Sequence, residues 1–279
     1  MSEPNSSSKH AVEPSVSAVA TVSVECWESG RITRVSDQVA EERAVAFKYL
    51  GVPHVVMLAT PADLEDMAVG FTLTEALVAS AQEIRQVRVT VTDEAIEVDL
   101  AITAERFAAL LTRHRNLTGR TGCGMCGAET LADAIREPPT LTGSLRISAE
   151  QVHVFLEQLT SGQLHNAGTG SLHAAAWVVP TEGIVLVRED VGRHNALDKL
   201  IGALIRQGRD LTMGYVIITS RASYEIVQKA ATVGIAAIVA VSAPTAFAIR
   251  AATEFGVTLV GFARRDRHVV YAHGERMVP

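Results

Sequence analysis

Cys123 and Cys126 form a C-x-x-C pair inside the run Thr118-Gly-Arg-Thr-Gly-Cys-Gly-Met-Cys-Gly127. Cysteine reacts as its thiolate, which nearby cations and helix N-termini favour. Arg120 lies just upstream, and residues 128–135 read as a helix just downstream. Four glycines in those ten positions argue against regular structure and leave the sulfurs uncovered. Three chemistries fit such a pair. It can be half of a zinc site, although the chain has no second Cys pair and no H-x-x-x-H to complete it. It can be a thioredoxin-like redox pair, although the preceding segment is polar rather than an apolar strand. It can be a nucleophilic or persulfide-carrying thiol presented to a large partner. The third cysteine, Cys26, falls in the β-rich run Thr21–Trp27 and reads as core packing.

Charged chemistry gathers elsewhere. Glu189-Asp-Val-Gly-Arg-His-Asn-Ala-Leu-Asp-Lys199 follows one apolar run and opens a helix. Arg193 and His194 at a helix N-terminus suit an anion, and Asp190 is spaced to orient His194 as an acid/base group. A solvated cap laced with salt bridges is the plainer alternative. Ser242-Ala-Pro-Thr245 puts small residues and hydroxyls, Ser242 and Thr245, at a strand end, with Pro244 set to start a helix. Such a turn suits a phosphate or diphosphate through backbone N–H groups. Arg264, Arg265 and Arg267 fall within four positions after the last apolar run and can clamp phosphates or a planar base. Arg265 reads equally well as surface charge. Asn166–His173 adds two glycines and a His that reads as structural.

The positioning elements follow from periodicity. Tyr215–Thr219, Ala237–Val241 and Val257–Phe262 are short apolar runs, separated by helical patterns at Tyr224–Val233 and Ala246–Phe255. That alternation predicts a parallel sheet covered on both faces, with ligands outside the carboxyl ends of its strands. His194–Arg206 is the clearest helix, and Leu172–Val179 and Ile184–Val187 read as further strands. In the first half, Ala44–Leu50 pairs with His54–Ala59, and Val87–Val91 with Ile96–Ile102. Thr60-Pro-Ala-Asp63 reads as a helix start with Thr60 as cap, and Glu105–Thr112 as a short helix. Ser148–Gln151 is a capping box ahead of an amphipathic helix. The predicted fold class is α/β: a C-terminal three-layer domain at 141–279 with a largely parallel sheet, and a smaller N-terminal α+β domain at 21–140. Residues 1–20 read as a flexible tail.

Bulk properties narrow the class. The chain has 279 residues, of which 48% are apolar and 20% charged, with a net charge of −6. That excludes a mainly disordered chain, and three cysteines exclude a disulfide scaffold. The acidic balance argues against nucleic-acid binding. No run approaches the ~20 apolar residues of a membrane span, and the start does not read as a secretory signal.

TGCGMCG at 121–127, EDVGRHNALDK at 189–199, TSRASYEIVQKAA at 219–231, SAPTAFAI at 242–249, LVGFARRDR at 259–267 and TPADLEDMAVGF at 60–71 occur in one order. Together they resemble the formate dehydrogenase accessory sulfurtransferase (FdhD/NarQ) family from about Val24 to the end. The resemblance implies a cytoplasmic, dimeric sulfurtransferase with a cytidine-deaminase-like core. Such a protein takes sulfur from a cysteine desulfurase as a cysteine persulfide. It passes the sulfur to the molybdenum of a bis-(molybdopterin guanine dinucleotide) cofactor destined for formate dehydrogenase. The family's C-x-x-C maps onto Cys123, the expected persulfide carrier, and Cys126. Its cofactor-contacting stretch maps onto Phe262, Ala263, Arg264, Arg265, Asp266 and Arg267. A non-catalytic carrier of the cofactor is the alternative. Gly122 stands where zinc deaminases have Pro before C-x-x-C, so their paired H-x-E and P-C-x-x-C signature is not met, which speaks against zinc hydrolysis.

Overall fold

A computed structural model describes residues 17–92, 95–117 and 138–279. The Thr118–Gly127 run with both its cysteines, and the helix expected at 128–135, lie outside the described residues. The apolar runs after residue 215 form β10 (Tyr215–Ile218), β11 (Ala237–Ala240) and β12 (Thr258–Gly261), joined by α6 (Tyr224–Thr232) and α7 (Ala246–Phe255). β10, β11 and β12 pair in parallel. The parallel part of the sheet ends there. β8 (His173–Val179), β9 (Gly183–Asp190) and β13 (Val269–Ala272) complete six strands in the order β13-β12-β11-β10-β8-β9, and every added pairing is antiparallel. The cause is connection length. β8 and β9 are joined by a short turn at 180–182, which cannot return the chain to a parallel start.

Side chains alternate across this sheet with period two. Trp177, Val216, Ile218, Ile238 and Leu259 pack under α6, α7 and α5 (Arg193–Arg206). Val178, Tyr215, Ile217, Val239 and Val260 meet α3 (Ala149–Gly162), which the four-residue α4 (Asn166–Thr169) follows, on the other face. Three layers result, as the sequence predicts. Ser148, the end of the two-residue β7 (Ile147–Ser148), caps α3, its Oγ accepting from the Gln151 N–H at 3.4 Å.

A four-stranded sheet, ordered β4-β3-β6-β5, holds β3 (Arg43–Tyr49), β4 (Val52–Ala59), β5 (Ile84–Val91) and β6 (Ile96–Ile102). Phe47, Tyr49, Val98 and Leu100 pack on α1 (Leu64–Thr74) through Met67 and Phe71. α2 spans Ala104–Leu117 and is longer than the sequence pattern predicts. α1 is buried on nearly every side because its far face lies on α5. The contact is backbone to backbone. A Cβ built on Gly202 would lie 1.8 Å from the Asp66 carbonyl oxygen, and one on Gly70 would lie 1.8 Å from that of Asp198.

Two local expectations are corrected. Thr60 does not cap α1: Asp63 is the N-cap residue, in the left-handed region at φ 53°, with no side-chain cap bond. Thr60 is fully buried, and its polar groups are taken by Asp190 of β9, Val191 of the turn after it and Lys199 of α5. Cys26 is not core packing. It lies on β1 (Val19–Glu28), which among the described residues pairs only with β2 (Arg31–Ala40), and its side chain is exposed. Among those residues no second layer covers this two-stranded ribbon.

Candidate functional site

The carboxyl ends of β10, β11 and β12 lead into turns at 219–223, 241–245 and 262–267. Backbone hydrogen bonds stitch these turns into one ledge. Thr245 N donates to Ala222 O at 3.0 Å, Phe262 N to Ser242 O at 3.1 Å, and Ala263 N to Ala240 O at 3.1 Å. The Arg264 guanidinium donates to Val241 O and, at 3.2 Å, to Ala263 O. Ser242, Thr245 and Phe262–Arg267 therefore share one edge of the sheet.

α6 and α7 begin on this ledge. Pro244 does not start α7, which begins at Ala246 after Thr245 as cap, its Oγ1 accepting from Ala248 N at 3.2 Å. Ser223 precedes α6 with no side-chain cap. α5 starts at the same edge, because β9 runs in the direction of β10 and ends at Asp190, paired with His173. Gly192 precedes α5, also without a side-chain cap. The starts of α5 and α6 are joined by His194, whose Nε2 lies 2.9 Å from a Glu225 carboxylate oxygen and 3.3 Å from Ser223 Oγ. Three helix N-termini at one edge make a favourable potential for a polyanion.

The side chains add cations. Arg193 Nε is buried with no hydrogen-bond partner among the described residues. Arg221, Arg264 and Arg267 are exposed. Burial holds the His173 pKa below the ordinary histidine value, the nearby Arg193 and His194 lower it further, and Asp190 opposes them. Arg265 differs from its neighbours: its side chain is 85% exposed and pairs with Glu157 of α3 at 2.6 Å. Its reading as surface charge fits that geometry. Asp266 is exposed on the same turn. Phe262 sits at φ 50°, a left-handed conformation uncommon outside glycine, and remains 43% exposed.

The 189–199 segment divides by charge. Arg193 and His194, which open α5, lie at the ledge, and the segment's acidic groups and Lys199 hold the interior. Asp190 does not orient His194. Its Oδ1 accepts from Gly192 N at 2.7 Å and Asn195 Nδ2 at 2.9 Å, and its Oδ2 from Thr60 N at 3.0 Å and Lys199 Nζ at 2.7 Å. Lys199 also donates to Thr60 O and Glu189 O. Glu189 accepts from His165 N and Asn166 N, and Asp198 from Thr74 Oγ1 and Lys229 Nζ. Glu225 takes the place expected for Asp190. Its contact and that of Ser223 both fall on Nε2, so the three do not form a proton relay through the ring.

Sequence reading passed over His173 as structural. It placed Arg221 in a polar strand-end turn without a role, and it left out the Tyr224–Phe247 stack, whose rings lie 4.2 Å apart and 6° from parallel, with the Arg250 guanidinium 5.4 Å from the Phe247 ring. The available signal was position: Arg221 is in a strand-end turn, Tyr224 opens α6, and Phe247 is the second residue of α7. Among the described residues, no group of three or more His, Cys, Asp or Glu side chains could hold a metal ion. No helix among them is long and apolar enough to cross a membrane.

Comparison with known proteins completes the picture. The FdhD/NarQ family matches residues 40–278. A protein named sulfur carrier protein FdhD from Cupriavidus necator is 46% identical over 257 residues, covering 92% of this chain and 89% of that protein. A namesake from Xanthomonas campestris pv. campestris is 50% identical over 248 residues, covering 89% and 88%. Another from Xanthomonas oryzae pv. oryzae is 47% identical over 274 residues, covering 98% and 96%. A crystal structure from Desulfotalea psychrophila, described as a formate dehydrogenase accessory protein, shares the fold. Its TM-score is 0.76 at 21% identity, over 94% of this chain and 100% of that one.

Proposed function

This chain belongs to the FdhD/NarQ family, and from that premise we propose that it is a sulfurtransferase of formate dehydrogenase maturation. Sulfur arrives from a cysteine desulfurase as a persulfide. The Cys123 thiolate attacks the outer sulfur of the donor persulfide, and the donor's own thiolate leaves, so the exchange is balanced at sulfur. Cys126 assists or also carries sulfur. The acceptor is a bis-(molybdopterin guanine dinucleotide) molybdenum cofactor, held as substrate and then delivered to formate dehydrogenase in the cytoplasm. The protein acts as a homodimer.

The observation that carries the cofactor half of this reading is the ledge. A guanine dinucleotide brings diphosphates, and the ledge offers three helix N-termini with Arg193, Arg264 and Arg267 beside them. Ser242 and Thr245 line the same edge, and His194 links two of the helix starts. Phe262 presents an exposed ring beside the arginines. Similarity to relatives named as sulfur carriers supports the sulfur half.

A guanine nucleotide is a usable probe of this ledge. GDP at millimolar concentration is expected to raise the melting temperature. The rise corresponds to ~2.7 kcal/mol when the ligand stands at a hundred times its Kd. Arg264→Ala/Arg267→Ala should lose most of that shift while melting normally without ligand. No shift in the unmodified protein, or the same shift in the double variant, would count against the ledge as the cofactor's seat.

A further inference from the structure

The 262–267 turn carries two arginines of the ledge but is itself lightly held. Its first residues are tied down by the backbone bonds of Phe262 and Ala263 to Ser242 and Ala240. Beyond them, Arg264 N donates to Arg267 O at 2.7 Å, so the tip is closed on itself. The chain then enters β13, an edge strand of the sheet. Two side-chain contacts join the tip to α3. Arg265 pairs with Glu157, but both side chains are largely exposed, and such a pair contributes little in water. The other contact is between His153 of α3 and His268, which ends the turn and precedes β13. His153 Nε2 lies 3.0 Å from His268 Nδ1, with ring centroids 5.2 Å apart, and both residues are half-buried.

Two imidazole nitrogens at this distance can share one proton and no more. With both rings neutral, one N–H donates to the other ring's lone pair; with one ring protonated, the imidazolium donates to the neutral ring. With both protonated, two N–H groups and two positive charges face each other, and the bond is lost. The pair therefore opens on its second proton and not its first. Burial and His153 itself hold the His268 pKa below the ordinary histidine value of ~6.5. A base whose pKa is lowered on folding contributes stability that is complete above its unfolded value and declines as pH falls through the folded one. The contact is thus whole at neutral pH and is lost in the acid range below ~6.5. The surrounding charges are engaged elsewhere or exposed. Glu157 is taken by Arg265, and Glu150 is exposed one turn before His153. Arg146 donates to Ser144 O and Leu145 O, and Arg264 to Val241 O and Ala263 O. Asp266 and Arg267 are exposed at the tip, and β12 and β13 meet here through the uncharged Gly261 and Val269.

We propose that His153 and His268 are positioning residues: their hydrogen bond clasps the 262–267 turn to α3 and lets it go when both rings are protonated. Arg264 and Arg267 are held in place for an anion while the clasp is closed. That consequence rests on the ledge as the nucleotide's seat; the clasp itself does not. Amide hydrogen exchange of the full chain tests it, followed by mass spectrometry over 262–268 and corrected for the intrinsic pH dependence. Protection there should fall at least about tenfold between about pH 7.5 and about pH 5, while α7 keeps its protection. His153→Gln offers His268 a carboxamide that accepts from the imidazolium or donates to the neutral ring, so this variant should stay protected at both pH values. His268→Ala should be weakly protected at both. Unchanged protection in the parent, or a loss in His153→Gln that follows the parent's profile, would overturn the clasp. Melting shifts with GDP separate the two readings. They should persist to lower pH in His153→Gln than in the parent, and shifts that decline alike in both would overturn the clasp's bearing on the nucleotide. A parent with the expected exchange and no GDP shift at about pH 7.5 would uphold the clasp and count against the ledge.

Discussion

Asp190→Ala is expected to destabilise the protein by about 3–5 kcal/mol, the usual result of removing one partner of a buried ion pair. Asp190 and Lys199 are both fully buried, and their 2.7 Å contact is only part of the loss. The carboxylate also accepts from Thr60 N, Gly192 N and Asn195 Nδ2. The substitution therefore leaves one buried ammonium and three donors without this acceptor. The consequence reaches the ledge, because these bonds fix the turn from which α5, Arg193 and His194 start. The measurement is the urea midpoint, with Lys199→Met as the reciprocal variant. Asp190→Leu/Lys199→Met should recover part of the loss, since removing both charges ends the penalty of leaving one unpaired. Single variants within ~1 kcal/mol of the parent would show that this buried pair, with its bonds to Thr60, contributes little to the fold.

Gly202→Ala reverses an expected sign. In an ordinary helix interior, alanine is more stable than glycine by about 1 kcal/mol. Here the added methyl would stand 1.8 Å from the Asp66 carbonyl oxygen and also close to Gly70 N, at 2.8 Å. Neither is a flexible side-chain end, so α1 and α5 must move apart along their whole contact. The net result should be a loss of about 2 kcal/mol or more, at the upper end of overpacking costs. Gly70→Ala should behave alike, since it meets Asp198 O at the same distance. The two together should cost less than their sum, because one separation of the helices relieves both. A raised urea midpoint in either single variant would mean that the helices are not in backbone contact.

Local signals were legible where one periodicity dominated. β10, β11, β12, α6 and α7 read directly because strands buried on both faces become short apolar runs, and the intervening helices keep apolar faces at helical spacing. The C-terminal edge of those strands followed, and with it Ser242, Thr245 and the 262–267 turn. Roles that depend on distant partners did not read. Thr60 looked like a helix cap because Pro61 follows it, yet its partners are Asp190, Val191 and Lys199, more than a hundred positions away. Asp190 looked like a partner for His194 because they are neighbours in sequence, while the actual partner, Glu225, comes from another helix. Cys26 looked buried because β-rich apolar runs usually are, and nothing local reveals that its strand joins no layered sheet. Gly70 and Gly202 carried no signal either, since a helix crossing is invisible in either helix alone.

The central claim is that this chain carries sulfur on Cys123. Its most direct measurement is the intact mass of the protein after incubation with a cysteine desulfurase and cysteine. The account predicts a gain of sulfur that a thiol reductant removes, that persists in Cys26→Ala and that disappears in Cys123→Ala/Cys126→Ala. No gain in the unmodified chain, or an undiminished gain in the double variant, would contradict it.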